Sequence, residues 1–306
     1  MPVSGEQMLA RGVVTQRLIA VMIDNHPAAY PQSGLDSGVL VFEALAEFGI
    51  TRYMLILAPG ISTESDFIGP VRSARSYFVE WAKGLEAIYA HAGGSPDGLL
   101  LSETAVEIVN LDALHGSTSS YFWRSSEHAA PHDLFTSSDE LQRFITETGV
   151  AATDLSEQGF LFKPDAAPDQ RPANQEIDYY FIYADDPAGW TYDSQANSYL
   201  RLRRGQPHID ARSGQQLEFK NVVVMEVLEQ PIPNDPKGRI EQQVLGEGRA
   251  RLFADGIERE IIWRKPVGFA PLRFYDSSGD EVKFNAGPIW IAALPTLEHL
   301  TVKGGG

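Results

Sequence analysis

The sequence predicts an α+β protein: an N-terminal α/β domain with a mixed sheet over residues 14–163, a linker at 164–175, and a smaller, mostly antiparallel β domain over 176–303. Three observations carry this expectation. Short apolar runs alternate with helical periodicities as far as Gly149, the pattern of an α/β layer. From Lys163 to Gln175 the chain reads KPDAAPDQRPANQ, with prolines among polar residues and no period, as in an exposed linker. Beyond it, short strand patterns are separated by turn signals such as Asp255-Gly256 and Ser278-Gly279. A length of 306 residues with 43% hydrophobic side chains is enough for two apolar cores.

Taken in order, Leu18–Ile23 (LIAVMI) is a buried strand opening into the polar loop Asp24-Asn25-His26-Pro27. Val39–Phe42, Tyr53–Leu57, Ala87–Ala90 and Val106–Leu111 repeat that apolar signature. Between them, Val71–Leu85 sets Tyr77, Phe78, Trp81 and Leu85 at three- and four-residue spacings, which predicts a helix. Ser95 as N-cap with Pro96 at the first helical position predicts a second. Ser137 with Glu140 forms a capping box for a third, which Gly149 stops. In the second half, strands are expected at Tyr179–Tyr183, Tyr199–Leu202, Val222–Leu228, Arg249–Phe253, Glu260–Trp263 and Ile289–Ala292. Tyr179, Tyr180, Trp190 and Trp263 read as sheet core, and Gly304–Gly306 as a flexible tail.

Composition excludes several function classes. A formal charge of −16 repels nucleic acid and anionic lipid, so no nucleic-acid partner is expected. With no cysteine, disulfides, thiolate metal sites and a cysteine nucleophile are impossible. Met1–Val13 lacks the basic start and apolar core of a secretory signal, and no apolar run approaches the roughly 20 residues of a membrane span. No Walker A, G-x-G-x-x-G, H-E-x-x-H or EF-hand pattern is present, so no cofactor or metal is expected.

Candidate site residues gather after the apolar strands, where α/β sheets place ligands. They are Asp24, Asn25 and His26 after the first strand, Arg52, then Arg72 and Arg75, and finally His91, Gly93, Gly94 and Ser95. Two arginines at the start of a helix oppose its macrodipole, and a bound anion relieves the conflict; pairing with the chain's excess carboxylates does so equally well. The Gly93 and Gly94 amides also suit an anion. Ser95 lacks the G-x-S-x-G context of a nucleophile and reads as a helix cap. His128 and His132 have metal-ligand spacing, but Pro131 breaks the helix that spacing needs. Asp112 and His115 join Asp24 and His26 in a metal or acid/base set only if the fold assembles them.

Over most of its length the chain resembles the YerB-like lipoproteins, two-domain bacterial cell-envelope proteins of unknown function. The runs that carry the likeness are VMIDNHPAAYPQSGL (Val21–Leu35), FEALAEFGITRYM (Phe42–Met54), GPVRSARSYFVEWA (Gly69–Ala82) and HAGGSP (His91–Pro96). GQPHIDARSGQQLEFKNVVVM (Gly205–Met225) and FNAGPIWIA (Phe284–Ala292) carry it in the second half. The resemblance implies an N-terminal α/β domain, a β-rich C-terminal domain and an extracytoplasmic location, with membrane attachment only through a lipidated cysteine of the untrimmed gene product. It implies no catalytic residues. Arg52, Arg72 and Arg75 near strand ends also make an architectural analogy to the LytR-CpsA-Psr phosphotransferases.

The leading expectation is therefore a cell-envelope lipoprotein ectodomain that binds an anionic group, on a glycan or a peptide, through these residues. One alternative is a phosphotransferase or hydrolase acting on a phosphoryl-linked envelope polymer, with Asp24 or His26 handling protons. Another is a protein-interaction module that uses the edges of the β domain.

Overall fold

Strands that are apolar on both faces must lie in the middle of a layered structure. The computed structural model, which describes residues 14–154 and 159–305, builds such a layer as a ten-stranded mixed sheet. Its N-terminal strands are β1 (Ile19–Asp24), β2 (Leu40–Glu47), β3 (Ile50–Leu57), β4 (Ile88–His91) and β5 (Val109–Asp112). Helices α1 (Ser76–Gly84) and α2 (Pro96–Thr104) interleave with them, and α3 (Ser138–Thr148) follows. The second half begins with β6 (Gln175–Tyr179), β7 (Ala188–Asp193) and β8 (Ser198–Arg203). It continues with β9 (Asn221–Glu226), β10 (Gly246–Ala254), β11 (Ile257–Lys265), β12 (Arg273–Tyr275), β13 (Ile289–Leu294) and β14 (Leu300–Gly304).

The large sheet runs β12-β11-β10-β9-β13-β2-β3-β1-β4-β5, so strands from both sides of the 164–175 segment share it. The seam is the parallel pair β13 and β2, in register from Ile289 opposite Leu40 to Ala293 opposite Ala44. Every residue of β13 is buried, because this strand also pairs with β9 and both of its faces are covered. On one face Met22, Phe42, Met54 and Ile291 pack with Phe78 and Trp81 of α1. On the other, Val21, Tyr53 and Trp290 pack with Phe144 of α3 and with Tyr179 and Trp190 of a second, antiparallel sheet built on β8-β7-β6-β14. At roughly 1.5–3 kcal/mol for each large apolar side chain buried, these two faces are the main stabilising term.

The predicted caps are present. Ser95 accepts from Gly98 N at 3.3 Å, Ser137 accepts from Glu140 N at 3.2 Å, and Gly149 ends α3 in the left-handed conformation. Three expectations are corrected. The first helix starts at Ser76 rather than Val71, because Gly69–Ala74 is held extended by bridges from Val71 to Ile23 and from Ala74 to Gly94. The strand expected at Tyr179–Tyr183 ends at Tyr179, and the chain beyond it turns away from the sheet. Gly304 is not a free tail but pairs with Gln175 at the end of β14, while Gly306 and Met1–Val13 lie outside the described residues. Among the described residues no helix is long and apolar enough to cross a membrane.

Asp255 ties the proline-rich segment to the sheets. Its carboxylate accepts from Lys163 Nζ at 2.5 Å, Asn197 Nδ2 at 2.8 Å, Asn285 Nδ2 at 2.7 Å and Ala166 N at 3.0 Å. Burial alone would push this carboxyl up; the lysine and the amide donors pull it down to about 2.

Candidate functional site

The residues singled out in the sequence fall into three neighbouring groups, each built around a carboxylate of the chain itself. In the first, Asp24 ends β1 and is almost fully buried. Its Oδ2 lies 2.7 Å from His132 Nδ1 and 2.9 Å from Arg72 Nε, and its Oδ1 accepts from His26 N at 3.0 Å. Burial would raise the Asp24 carboxyl, yet the charge of Arg52 across the strand pair, the His26 N–H, His132 and Arg72 together hold it below its ordinary value. Asn25 Nδ2 donates to Thr51 Oγ1 at 2.7 Å and its Oδ1 accepts from Gln32 at 2.9 Å. The His26 ring caps a single 3-10 turn and stacks on His132, with centroids 4.4 Å apart.

In the second group Glu47, at the end of β2, takes both Arg52 and Arg75. Arg52 Nη2 donates to Oε1 at 2.9 Å and Arg75 Nε donates to Oε2 at 3.1 Å. Arg52 Nη1 also donates to the Ser73 carbonyl at 3.2 Å and Arg75 Nη1 to the Ala74 carbonyl at 2.6 Å. In the third, His91 is fully buried between Gly93 O (2.9 Å) and Asn110 Oδ1 (2.7 Å), and Gly93 N donates to Asp112 Oδ1 at 2.9 Å. Gly94 lies against Ala74, and Ser95 is used in the cap. His115 is exposed and bonds Ser117, away from Asp24.

These positions correct the arginine geometry expected from the sequence. Arg72 and Arg75 do not share a helix start: Arg75 is the N-cap of α1 and Arg72 lies in the extended segment before it. In an extended chain, residues three apart point to opposite sides. The anions that Arg52, Arg72, Arg75 and Gly93 suit are supplied internally by Asp24, Glu47 and Asp112.

A cleft of about 310 Å³ lies elsewhere, between the loop after β1, the β2–β3 hairpin and the second sheet. Asn25 and His26 line it; Arg52, Arg72, Arg75, His91, Gly93, Gly94 and Ser95 do not. Its floor is a buried ion pair that joins the two sheets, Arg201 Nη2 of β8 to Glu43 Oε2 of β2 at 2.8 Å. The same oxygen accepts from Tyr179 OH at 3.0 Å and Trp290 Nε1 at 3.1 Å, and the guanidinium lies over the rings of Trp190 and Trp290. On the wall, Arg204 is bidentate to Asp186. Arg203 is half-buried with its guanidinium 4.8 Å from the ring centroid of Tyr30. No carboxylate among the described residues pairs with Arg203. Three arginines against Glu43 and Asp186 leave the cleft with one positive charge on a strongly acidic chain.

Sequence reasoning missed Arg201, Arg203 and Arg204. The signal was the run RLRRG, a cluster of positive charge next to a glycine turn in an acidic chain. It also missed His132 as the partner of Asp24, since no spacing rule links residues so far apart. Among the described residues no group of three or more His, Asp or Glu side chains is placed to hold a metal ion.

Comparisons with known proteins agree on one family. Residues 3–151 match the N-terminal domain, and residues 177–291 the C-terminal domain, of "Protein of unknown function (DUF3048)". The chain is 30% identical over 295 residues, 96% of this chain and 86% of the relative, to "Putative lipoprotein YerB" of Bacillus subtilis (strain 168). The crystal structure of the YerB protein from Bacillus subtilis superposes with a TM-score of 0.81 at 28% identity, covering 99% of both chains. The chain therefore belongs to the DUF3048 family of proteins of unknown function.

Proposed function

We propose that this protein is an extracytoplasmic, membrane-anchored lipoprotein whose cleft binds a small anionic ligand without turning it over. The name of the Bacillus subtilis relative supports the anchor and the location. The observation that carries the ligand class is Arg203. It is half-buried at the wall of a concave site and faces an aromatic ring, while every other arginine there is matched by a carboxylate. A guanidinium placed this way gains most from a carboxylate or phosphate that brings the missing charge. Asn25 and His26 add polar groups at the mouth of the cleft. Binding is favoured over turnover because both carboxylates lining the cleft, Glu43 and Asp186, are held by arginines. Calorimetric titration of small anions into the wild type and Arg203→Ala tests this. Affinity for at least one anion that falls about tenfold in the variant is expected; equal affinity in both proteins overturns it.

The Asp24–His132 contact favours a second reading. A buried carboxylate that orients an imidazole is the supporting half of an acid/base pair, and it suits the phosphotransferase or hydrolase alternative. Release of phosphate from phosphodiester substrates that disappears in His132→Gln is the result that would replace the binding reading.

A further inference from the structure

The lip of the cleft carries two residues at backbone positions where their side chains are unexpected. The β2–β3 hairpin closes with Phe48-Gly49 at φ 52° and 79°, and the hairpin after β8 closes with Arg204-Gly205 at φ 52° and 69°. Two-residue turns with positive φ at both positions favour Asn or Asp first and Gly second. The β10–β11 hairpin, remote from the cleft, obeys that rule with Asp255-Gly256 at φ 58° and 72°. Asn and Asp bond their own backbone in this conformation, whereas a phenyl ring has nothing to gain there, and a bulky residue with positive φ is a true outlier. Packing does not account for Phe48 either, since the ring is 65% exposed.

The ring nevertheless has backbone beside it at Gly238. A Cβ on Gly238 would come within 2.7 Å of it, and a Cβ on Gly49 would come within 2.4 Å of the Tyr183 ring. Tyr183 is itself 54% exposed. Two solvent-facing aromatic rings, each lying against a glycine, thus stand at the lip of a cleft whose unmatched charge is Arg203. Strained positions of this kind cluster at ligand sites.

Resting on the anion-binding reading above, we infer that the ligand is an acidic sugar, a pyranose ring bearing a carboxylate. The carboxylate meets Arg203, and the apolar C–H face of the ring lies on Phe48 and Tyr183, which offer flat apolar surfaces beside polar groups. The cleft volume of about 310 Å³ is at the small end for ligand sites and suits one or two units of an oligosaccharide, the remainder extending from its open mouth. An extended acidic peptide fits less well, because the strands that line the cleft have no free edge. β3 pairs on both sides with β1 and β2, β7 with β6 and β8, and β8 with β7 and the strand Gln206–Pro207. A bare phosphate would make no use of the two rings.

The test is calorimetry on the full chain with three probes: trigalacturonate, the neutral galactose trisaccharide and a hexapeptide of Asp and Glu. Trigalacturonate should bind at least about tenfold tighter than the neutral sugar. Arg203→Ala should lose about tenfold, and Phe48→Asn several-fold, with Phe48→Trp retaining affinity. Asn suits the turn, so Phe48→Asn keeps the fold while removing the ring. Trigalacturonate binding that is indifferent to Phe48→Asn overturns the sugar assignment. Binding of the peptide but not the sugar, still lost in Arg203→Ala, overturns it too but leaves the anion reading standing. Failure of every probe, with inorganic phosphate added as a fourth, overturns both.

Discussion

Two arginine clusters in this protein look alike in composition and behave oppositely. Arg52 and Arg75 converge on Glu47, and the Ser73 and Ala74 carbonyls take further donors, so each guanidinium reaches a carboxylate although the two share one. In the cleft, Arg201 pairs with Glu43 and Arg204 with Asp186, but Arg203 makes no ion pair, so this group stays open. A cluster of cations therefore says little about ligand binding until the partner of each guanidinium is located in three dimensions.

The largest effect should come from the floor of the open cluster. Arg201→Ala leaves Glu43 buried and unpaired between the sheets, and denaturant unfolding should show a loss of about 3–5 kcal/mol. Replacing both partners with apolar residues of similar size, Glu43→Leu with Arg201→Met, should recover much of that loss. If the double variant is no more stable than Arg201→Ala, the pair is not the isolated unit described.

Next is a direct contrast between the clusters. Arg75→Ala removes one of the two cations on Glu47 and should destabilise by about 2 kcal/mol while leaving affinity for an anionic probe unchanged. Arg203→Ala should do the reverse, with stability within about 0.5 kcal/mol of wild type and affinity down about tenfold. Similar behaviour of the two variants in both assays would erase the distinction.

Asp255 sharpens the comparison from the anionic side, since it too is saturated by the chain. Its carboxyl titrates near 3.8 when unperturbed and near 2 in the fold. Because the folded value is lower, its stabilisation is complete above about pH 4 and is lost as pH falls toward 2, by about 2 kcal/mol in all. Unfolding free energies between pH 5 and 2 should fall less steeply in Asp255→Asn than in wild type. Parallel curves would show that the group does not act this way.

The smallest effect is a gain. Phe48→Asn relieves the left-handed strain at the lip and should stabilise the protein by about 1 kcal/mol, read as a rise in Tm of a few degrees. Lower stability would mean that the ring packs more than its exposure suggests.

What was legible in the sequence was local. Ser95-Pro96 and the Ser137/Glu140/Gly149 set marked helix ends because caps are bonds between residues three or four apart. Leu18–Ile23 marked a central strand because burial on both faces requires an unbroken apolar run. The start of α1 was misread because what holds Gly69–Ala74 extended is Ile23 and Gly94, distant in the chain. His132 was invisible as a partner of Asp24 for the same reason.

By itself, then, the sequence determined the fold class, the caps and the acidic field, which rest on short-range periodicity or on composition, and the family likeness, which rests on the matching runs. Only the tertiary structure decided that β13 threads between β9 and β2, so that one sheet, with a core on each face, spans the proline-rich segment. It also decided which arginines close on a carboxylate and which stays open, because ion pairing depends on distances of a few ångströms between strands that no sequence spacing encodes.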